Sequence, residues 1–286
     1  MTKAYNPAFL DRQYSVRAAV PDHARFFEDW QARSARVRLG HRCYLDRAYG
    51  SSAAETLDMF PARGPSRALL MYIHGGYWRS RDKSEFSYLA PAFAAAGVTL
   101  AVVNYGLAPQ VNLYEIVLQN CRAVVWLYRN ARDYGADPNQ LYVCGHSAGG
   151  HLTAMMLAAI WPRLAPDLPT DLVKGGLALS GLYDLEPLRH APFLKDDLRL
   201  DAAAAANLSP VRLYPATDAP LYTAVGGRES AEFKRQTRML ERRWKSAFRA
   251  NIPMPEDNHF TLSDRLADAS SPIFAGALRM MGVPHE

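Results

Sequence analysis

The stretch Gly145-His146-Ser147-Ala148-Gly149-Gly150 constrains this chain more than any other, because it sits where a short apolar run turns into a helical pattern. Leu141, Tyr142, Val143 and Cys144 precede it and read as a buried strand. His151 to Ile160 follow, with Leu152, Met155, Met156 and Ala159 at helical spacing. A serine with glycine two residues to either side suits a strained strand-to-helix turn that lifts its Oγ clear of the backbone. The glycines let strand and helix approach without Cβ clashes. Small residues crowd many turns, so the flanking strand and helix make Ser147 a nucleophile candidate.

Strand and helix signals alternate from about residue 68 onward. Ala68 to Ile73 is an apolar run closed by His74-Gly75-Gly76, and a helix is predicted around Ser84 to Ala96. Val98 to Asn104 reads as a strand. A long helix from Tyr114 to Tyr134 turns Ile116, Val117, Cys121, Val124, Val125 and Leu127 inward. Two more strands are predicted at Gly175 to Ser180 and Pro220 to Val225, with helices at Ser230 to Phe248 and Ser270 to Met281. Apolar strands alternating with helices imply a mostly parallel sheet covered on both faces, an α/β fold. Before residue 68, Tyr44 to Ala48 and Glu55 to Phe60 form a short antiparallel pair around Gly50-Ser51-Ser52. A helix is predicted from Asp22 to Arg36. No Gly/Ser-rich or Pro-rich linker interrupts the chain, so 1–286 is expected to be a single domain. Its segment 1–40 is cap-like, and the proline-bearing insertion 185–215 lies over the site.

The chain has 286 residues, 49% of them hydrophobic and 21% charged, which is globular and long enough to bury a core without disulfide or metal support. Cys43, Cys121 and Cys144 form no close pair and read as reduced core thiols. The stretch from Met1 to Asn6 lacks the hydrophobic core of a signal peptide. No apolar run approaches the roughly 18 residues of a membrane span. A cytoplasmic protein is expected. The net charge of +5 is concentrated in Lys234 to Arg249. There Phe233, Thr237, Leu240 and Trp244 recur at helical spacing, so the arginines mark a solvated helix face rather than a nucleic-acid surface.

A serine hydroxyl is a poor nucleophile at neutral pH and needs an adjacent base, itself held in the right tautomer by a third group. The Ser147 turn resembles the elbow of α/β-hydrolases, and in that family the acid and then the histidine follow the serine along the chain. Of eight histidines, only His190, His259 and His285 lie clearly downstream. His190 comes before the next strand, and His285 is one residue from the end, where fraying is expected. His259 is therefore the candidate base. The acid belongs just beyond the strand ending at Val225, where Glu229 stands, with Asp184 as its rival. His74-Gly75-Gly76-Tyr77 follows a strand directly and can turn amides into the site. The candidate oxyanion donors are the amides of Gly76, Tyr77 and Ala148. Trp78, His151, Tyr183 and Phe260 are candidate pocket residues, with Tyr77 and Phe193 as further aromatics. No His-Glu-x-x-His motif, Walker loop or dinucleotide-binding glycine pattern occurs, so no metal and no cofactor are expected.

Taken together, these motifs resemble the α/β-hydrolase superfamily, and within it the arylformamidase (kynurenine formamidase)-like and esterase branch. The carriers are His74-Gly75-Gly76-Tyr77-Trp78, Gly145 to His151, Val225 to Phe233 with Arg235-Gln236, and His259-Phe260. Tyr49-Gly50, Glu55 to Asp58 and Asn104 to Pro109 add weaker support. The resemblance implies Ser147 as nucleophile, Glu229 as acid and His259 as base, although the arylformamidase pattern usually carries Asp where this chain has Glu229. It implies hydrolysis of a small ester or aryl formamide of the N-formylkynurenine type through an acyl-serine intermediate. A general short-chain carboxylesterase stays open as an alternative, as does a catalytically silent binding protein of the same fold. The expected partner is a small-molecule ester or amide, with no nucleic acid and no membrane, and a homodimer is admissible.

Overall fold

The computed structural model describes residues 5–284, so His285 and residues 1–4 lie outside the description. Eight strands form one sheet: β1 (Tyr44–Ala48), β2 (Thr56–Phe60), β3 (Ala68–Ile73), β4 (Val98–Val103), β5 (Leu141–His146), β6 (Gly176–Leu179), β7 (Leu221–Ala224) and β8 (Phe248–Asn251). Their spatial order is β1-β2-β4-β3-β5-β6-β7-β8. β2 runs antiparallel to both of its neighbours, and the pairings from β4 to β8 are parallel.

The helices along the chain are α1 (Pro7–Tyr14), α2 (Val16–Ala19), α3 (His23–Gly40), α4 (Ala90–Ala95), α5 (Leu113–Asn130), α6 (Ala148–Ala158), α7 (Lys195–Leu198), α8 (Ala202–Asn207), α9 (Ala231–Arg243), α10 (Thr261–Arg265) and α11 (Pro272–Met280). None among the described residues is long and apolar enough to cross a membrane.

Alternation along the central strands builds two core layers, because successive side chains of a strand point to opposite faces. Leu69, Met71 and Ile73 of β3, with Leu141 and Val143 of β5, join the layer under α1, α5, α6 and α9. Ala68, Leu70 and Tyr72, with Tyr142 and Cys144, join the layer under α3, α4 and α11. Both faces of the strands are fully buried, which is why they read as unbroken apolar runs.

The chain leaves β3 toward β4 on one side and returns to β5 on the other. The ends of β3 and β5 pair directly, Ile73 opposite Gly145. Such a switch point opens a crevice beyond the carboxyl ends of the strands. Two predicted helices depart most from expectation. Residues 84–96 split into two 3₁₀ turns and α4, because Asp82 caps the first turn and Pro91 starts the last. The helix predicted to reach Phe248 ends at Arg243, and β8 takes its tail. This edge strand is half-exposed and polar, so it carries little strand signal.

Candidate active site

Ser147 stands at the tip of the β5–α6 turn with φ 59° and ψ −117°, a backbone conformation that side chains rarely adopt. Its amide donates to Leu179 O of the neighbouring strand, 2.8 Å away. Close approach holds the turn. A Cβ on Gly145 would lie 2.3 Å from Gly149 O, and one on Gly149 would lie 1.9 Å from Ile73 O. The spacing of glycines around the serine is thus a packing requirement between β3, β5 and α6.

His259 lies on the loop between β8 and α10. Its Nδ1 is 2.6 Å from Glu229 Oε2, and both side chains are almost wholly buried. A carboxylate on Nδ1 selects the tautomer that carries its proton there and leaves Nε2 as the acceptor. Glu229 is fixed on its other oxygen, where Oε1 accepts from Ser180 Oγ at 2.5 Å and from the Gly226 amide at 2.7 Å. The longer side chain of glutamate spans the distance from the β7–α9 turn to the imidazole. Asp184 is engaged elsewhere. It faces Arg235 at 3.9 Å, and its amide is held by Gln236. Ser180, just past β6 with φ +46°, carried no sequence signal beyond its place as the last residue of the predicted strand.

The β3 loop turns sharply, with φ positive at Gly76 (+105°), Tyr77 (+52°) and Trp78 (+55°). Among the described residues, the amides of Gly76, Tyr77 and Ala148 donate to no protein acceptor. His74 is buried behind the loop. Its Nδ1 is 2.8 Å from Gly75 O and its Nε2 is 3.2 Å from Asn104 Oδ1, and Tyr105 stacks on the ring. Burial lowers the His74 pKa from its ordinary value. The Tyr77 hydroxyl donates to Tyr14 O at 2.5 Å, pinning the loop to the end of α1. From the same end, Gln13 O accepts from Ser230 Oγ, which ties the N-terminal segment to the acid-bearing turn.

Gly75, Gly76, Tyr77, Ser147 and His259 line one cavity of about 260 Å³. Phe27, Trp30, Phe86, Phe193 and Phe260 supply its aromatic walls, so the N-terminal segment and the 185–215 insertion both reach it. Three expected pocket residues sit elsewhere. Trp78 and Tyr183 are fully buried in the core layer under α6, because the positive-φ turn directs Trp78 inward and Tyr183 packs on Gly181. His151 lies one helical turn past Ser147, bonds Leu208 O at 2.7 Å and packs edge-on against Trp78. Arg17, Arg79 and Arg81 also line the cavity, and the sequence reading did not single them out. The last two lie just past the glycine loop, where loop position was a usable signal. Arg17 had none.

The remaining motif segments are structural. Tyr49 OH donates to Asn104 O, Glu55 closes against Gly50, and Asp58 is buried between Lys83 and Arg38.

Residues 57–160 match the BD-FAE family model. Kynurenine formamidases from Salmo salar and Danio rerio are each 27% identical, the alignments covering 99% and 97% of this chain and 96% and 94% of those proteins. The crystal structure of a candidate thioesterase from Silicibacter sp. TM1040 superposes with a TM-score of 0.82 at 32% identity, covering 93% of this chain and 97% of that one. The carboxylesterase EstE1 from a metagenomic library shares the fold at TM-score 0.68 and 18% identity, over 99% of this chain and 100% of its own. The eight-stranded topology, the turn at Ser147 and this near full-length relationship agree: the chain belongs to the α/β-hydrolase superfamily, in its arylformamidase and esterase family.

Proposed function

We propose that this protein is a serine hydrolase that cleaves a small aryl formamide or aryl ester through an acyl-serine intermediate. The observation that carries the reading is the buried Glu229–His259 pair opening onto the cavity that Ser147 lines. In this reading His259 Nε2 takes the Ser147 hydroxyl proton as Oγ bonds to the carbonyl carbon. The proton then passes to the leaving amine or phenoxide as that bond breaks. Water, deprotonated by the same nitrogen, attacks the acyl-serine, releases the acid and restores the hydroxyl. The charge on the carbonyl oxygen falls to the unpartnered amides of Gly76, Tyr77 and Ala148, where loss of one such donor costs roughly 10²–10³ in kcat.

A formyl group needs almost no acyl space, and the aromatic walls suit an aryl leaving group. Similarity to kynurenine formamidases along the whole chain favours the formamide, with N-formylkynurenine as the compound to test first. The short-chain esterase reading is the second, favoured by the esterase neighbours. Comparing kcat/KM for N-formylkynurenine with that for p-nitrophenyl acetate decides between them. A formamide value far below the ester value removes the first reading. A silent binding protein is disfavoured by the assembled serine, histidine and acid. The unpaired Cys43, Cys121 and Cys144 support a reducing, cytoplasmic setting.

A further inference from the structure

We infer that Arg17 and Arg81 form an anion subsite at the mouth of this cavity and select substrates whose aryl group bears a carboxylate. The inference rests on the hydrolase reading above and deepens it to a substrate class. Three arginines line the cavity, and their partners differ. Arg79 is occupied, donating to Asp197 and to Phe193 O. Arg81 donates one terminal nitrogen to Glu85 at 2.8 Å, while its buried Nε has no hydrogen-bond partner. No carboxylate among the described residues lies within ion-pair distance of Arg17. Both guanidinium groups are gathered by one ring: the Cζ of Arg81 lies 3.9 Å and that of Arg17 5.5 Å from the centroid of Phe27, which itself lines the cavity.

Holding like charges together around one wall is unfavourable unless an anion completes the set. Burial, then the charges of Arg81 and Arg79, lower the Arg17 pKa from its ordinary value, and Glu85 offsets this only in part. Three cations thus meet two carboxylates, Asp197 and Glu85, leaving one positive charge at the rim. A guanidinium presents a planar fork that fits a carboxylate. The cavity then sorts its ligand end to end. The reacting carbonyl sits at Ser147, the aryl ring against the wall that the touching rings of Phe27 and Phe260 form, and the carboxylate at the mouth.

The test uses 3-acetoxybenzoate and its neutral isostere 3-acetoxybenzamide on the full chain. Wild type should give the higher kcat/KM with the benzoate, through KM, and added NaCl should erode the preference. Arg17→Gln and Arg81→Gln should each lower the benzoate-to-benzamide ratio of kcat/KM about tenfold. Arg129→Gln, which removes a distant surface ion pair with Asp167, should keep the ratio. Arg17 sits on the short exposed helix α2, so its variant remains readable if Arg81→Gln misfolds. An unchanged ratio in Arg17→Gln overturns the subsite. Should wild type turn over neither ester, calorimetry of both compounds with Ser147→Ala separates the two claims. Tighter binding of the benzoate upholds the subsite and leaves only the hydrolase reading to fall, whereas equal binding overturns the subsite.

Discussion

Glu229 Oε2 lies 2.6 Å from His259 Nδ1, with Phe233 packed on the imidazole and the Ser180 and Gly226 donors holding the other carboxylate oxygen. Glu229→Gln keeps the shape but presents an amide where a carboxylate held the imidazole tautomer. A kcat loss of roughly 10²–10⁴ is expected, with KM little changed. Asp184→Asn should retain near wild-type kcat. Steady-state kinetics with p-nitrophenyl acetate check both. The opposite pattern, with the large loss at Asp184, would reassign the acid.

The approach of α6 to β3 leaves no room for a methyl group at Gly149. Gly149→Ala is expected to destabilise the fold by about 3 kcal/mol or more through overpacking against backbone. Gly40→Ala, at the end of α3 with nothing within 4 Å, should change stability by less than about 1 kcal/mol. Urea denaturation of the two variants measures the difference. Equal midpoints would refute the close-packed turn.

Lys83 is buried with its Nζ 2.6 Å from Asp58 Oδ1 and 2.5 Å from Asp46 Oδ1, joining β1, β2 and the turn that follows the glycine loop. Lys83→Met leaves the fully buried Asp58 with Arg38 as its ion-pair partner and the Asp46 amide as a hydrogen-bond donor. The expected cost is about 3 kcal/mol, the lower end for breaking a buried pair. Lys83→Met/Asp58→Asn should recover part of it. Denaturant melts of single and double variants test this, and a single variant as stable as wild type would contradict it.

Burial lowers the His151 pKa to about 4, from an ordinary 6.5. The folded chain then holds this imidazole neutral where the unfolded chain binds a proton. Its contribution is present above pH 6.5 and is lost as pH falls toward 4. His74 and His146 are shifted in the same direction by burial. His151→Gln should flatten the acid limb of unfolding free energy against pH. Superimposable slopes would show that His151 is not held neutral.

The elbow at Ser147, the parallel sheet and the downstream order of Glu229 and His259 were legible because each rests on local chemistry. Fully buried strands are apolar runs, and tight turns demand glycine. The strand β8 was not legible, since an edge strand with half its residues exposed has no apolar run to announce it. The cavity walls were legible only in part. Tyr77, Phe193 and Phe260 line the cavity, whereas a positive φ turns Trp78 into the core and the packing of α6 and of the segment after β6 buries His151 and Tyr183, which residue identity does not reveal. Arg17 reaches the cavity from the N-terminal segment, across a distance in sequence that no local pattern spans.

The central claim is that Ser147 carries the acyl group. Its most direct measurement is labelling with a fluorophosphonate, followed by intact mass and peptide mapping. One adduct per chain, on the peptide holding Ser147, with loss of p-nitrophenyl acetate turnover in step and neither label nor turnover in Ser147→Ala, is the expected result. An adduct on another residue, or full turnover in Ser147→Ala, would contradict the account.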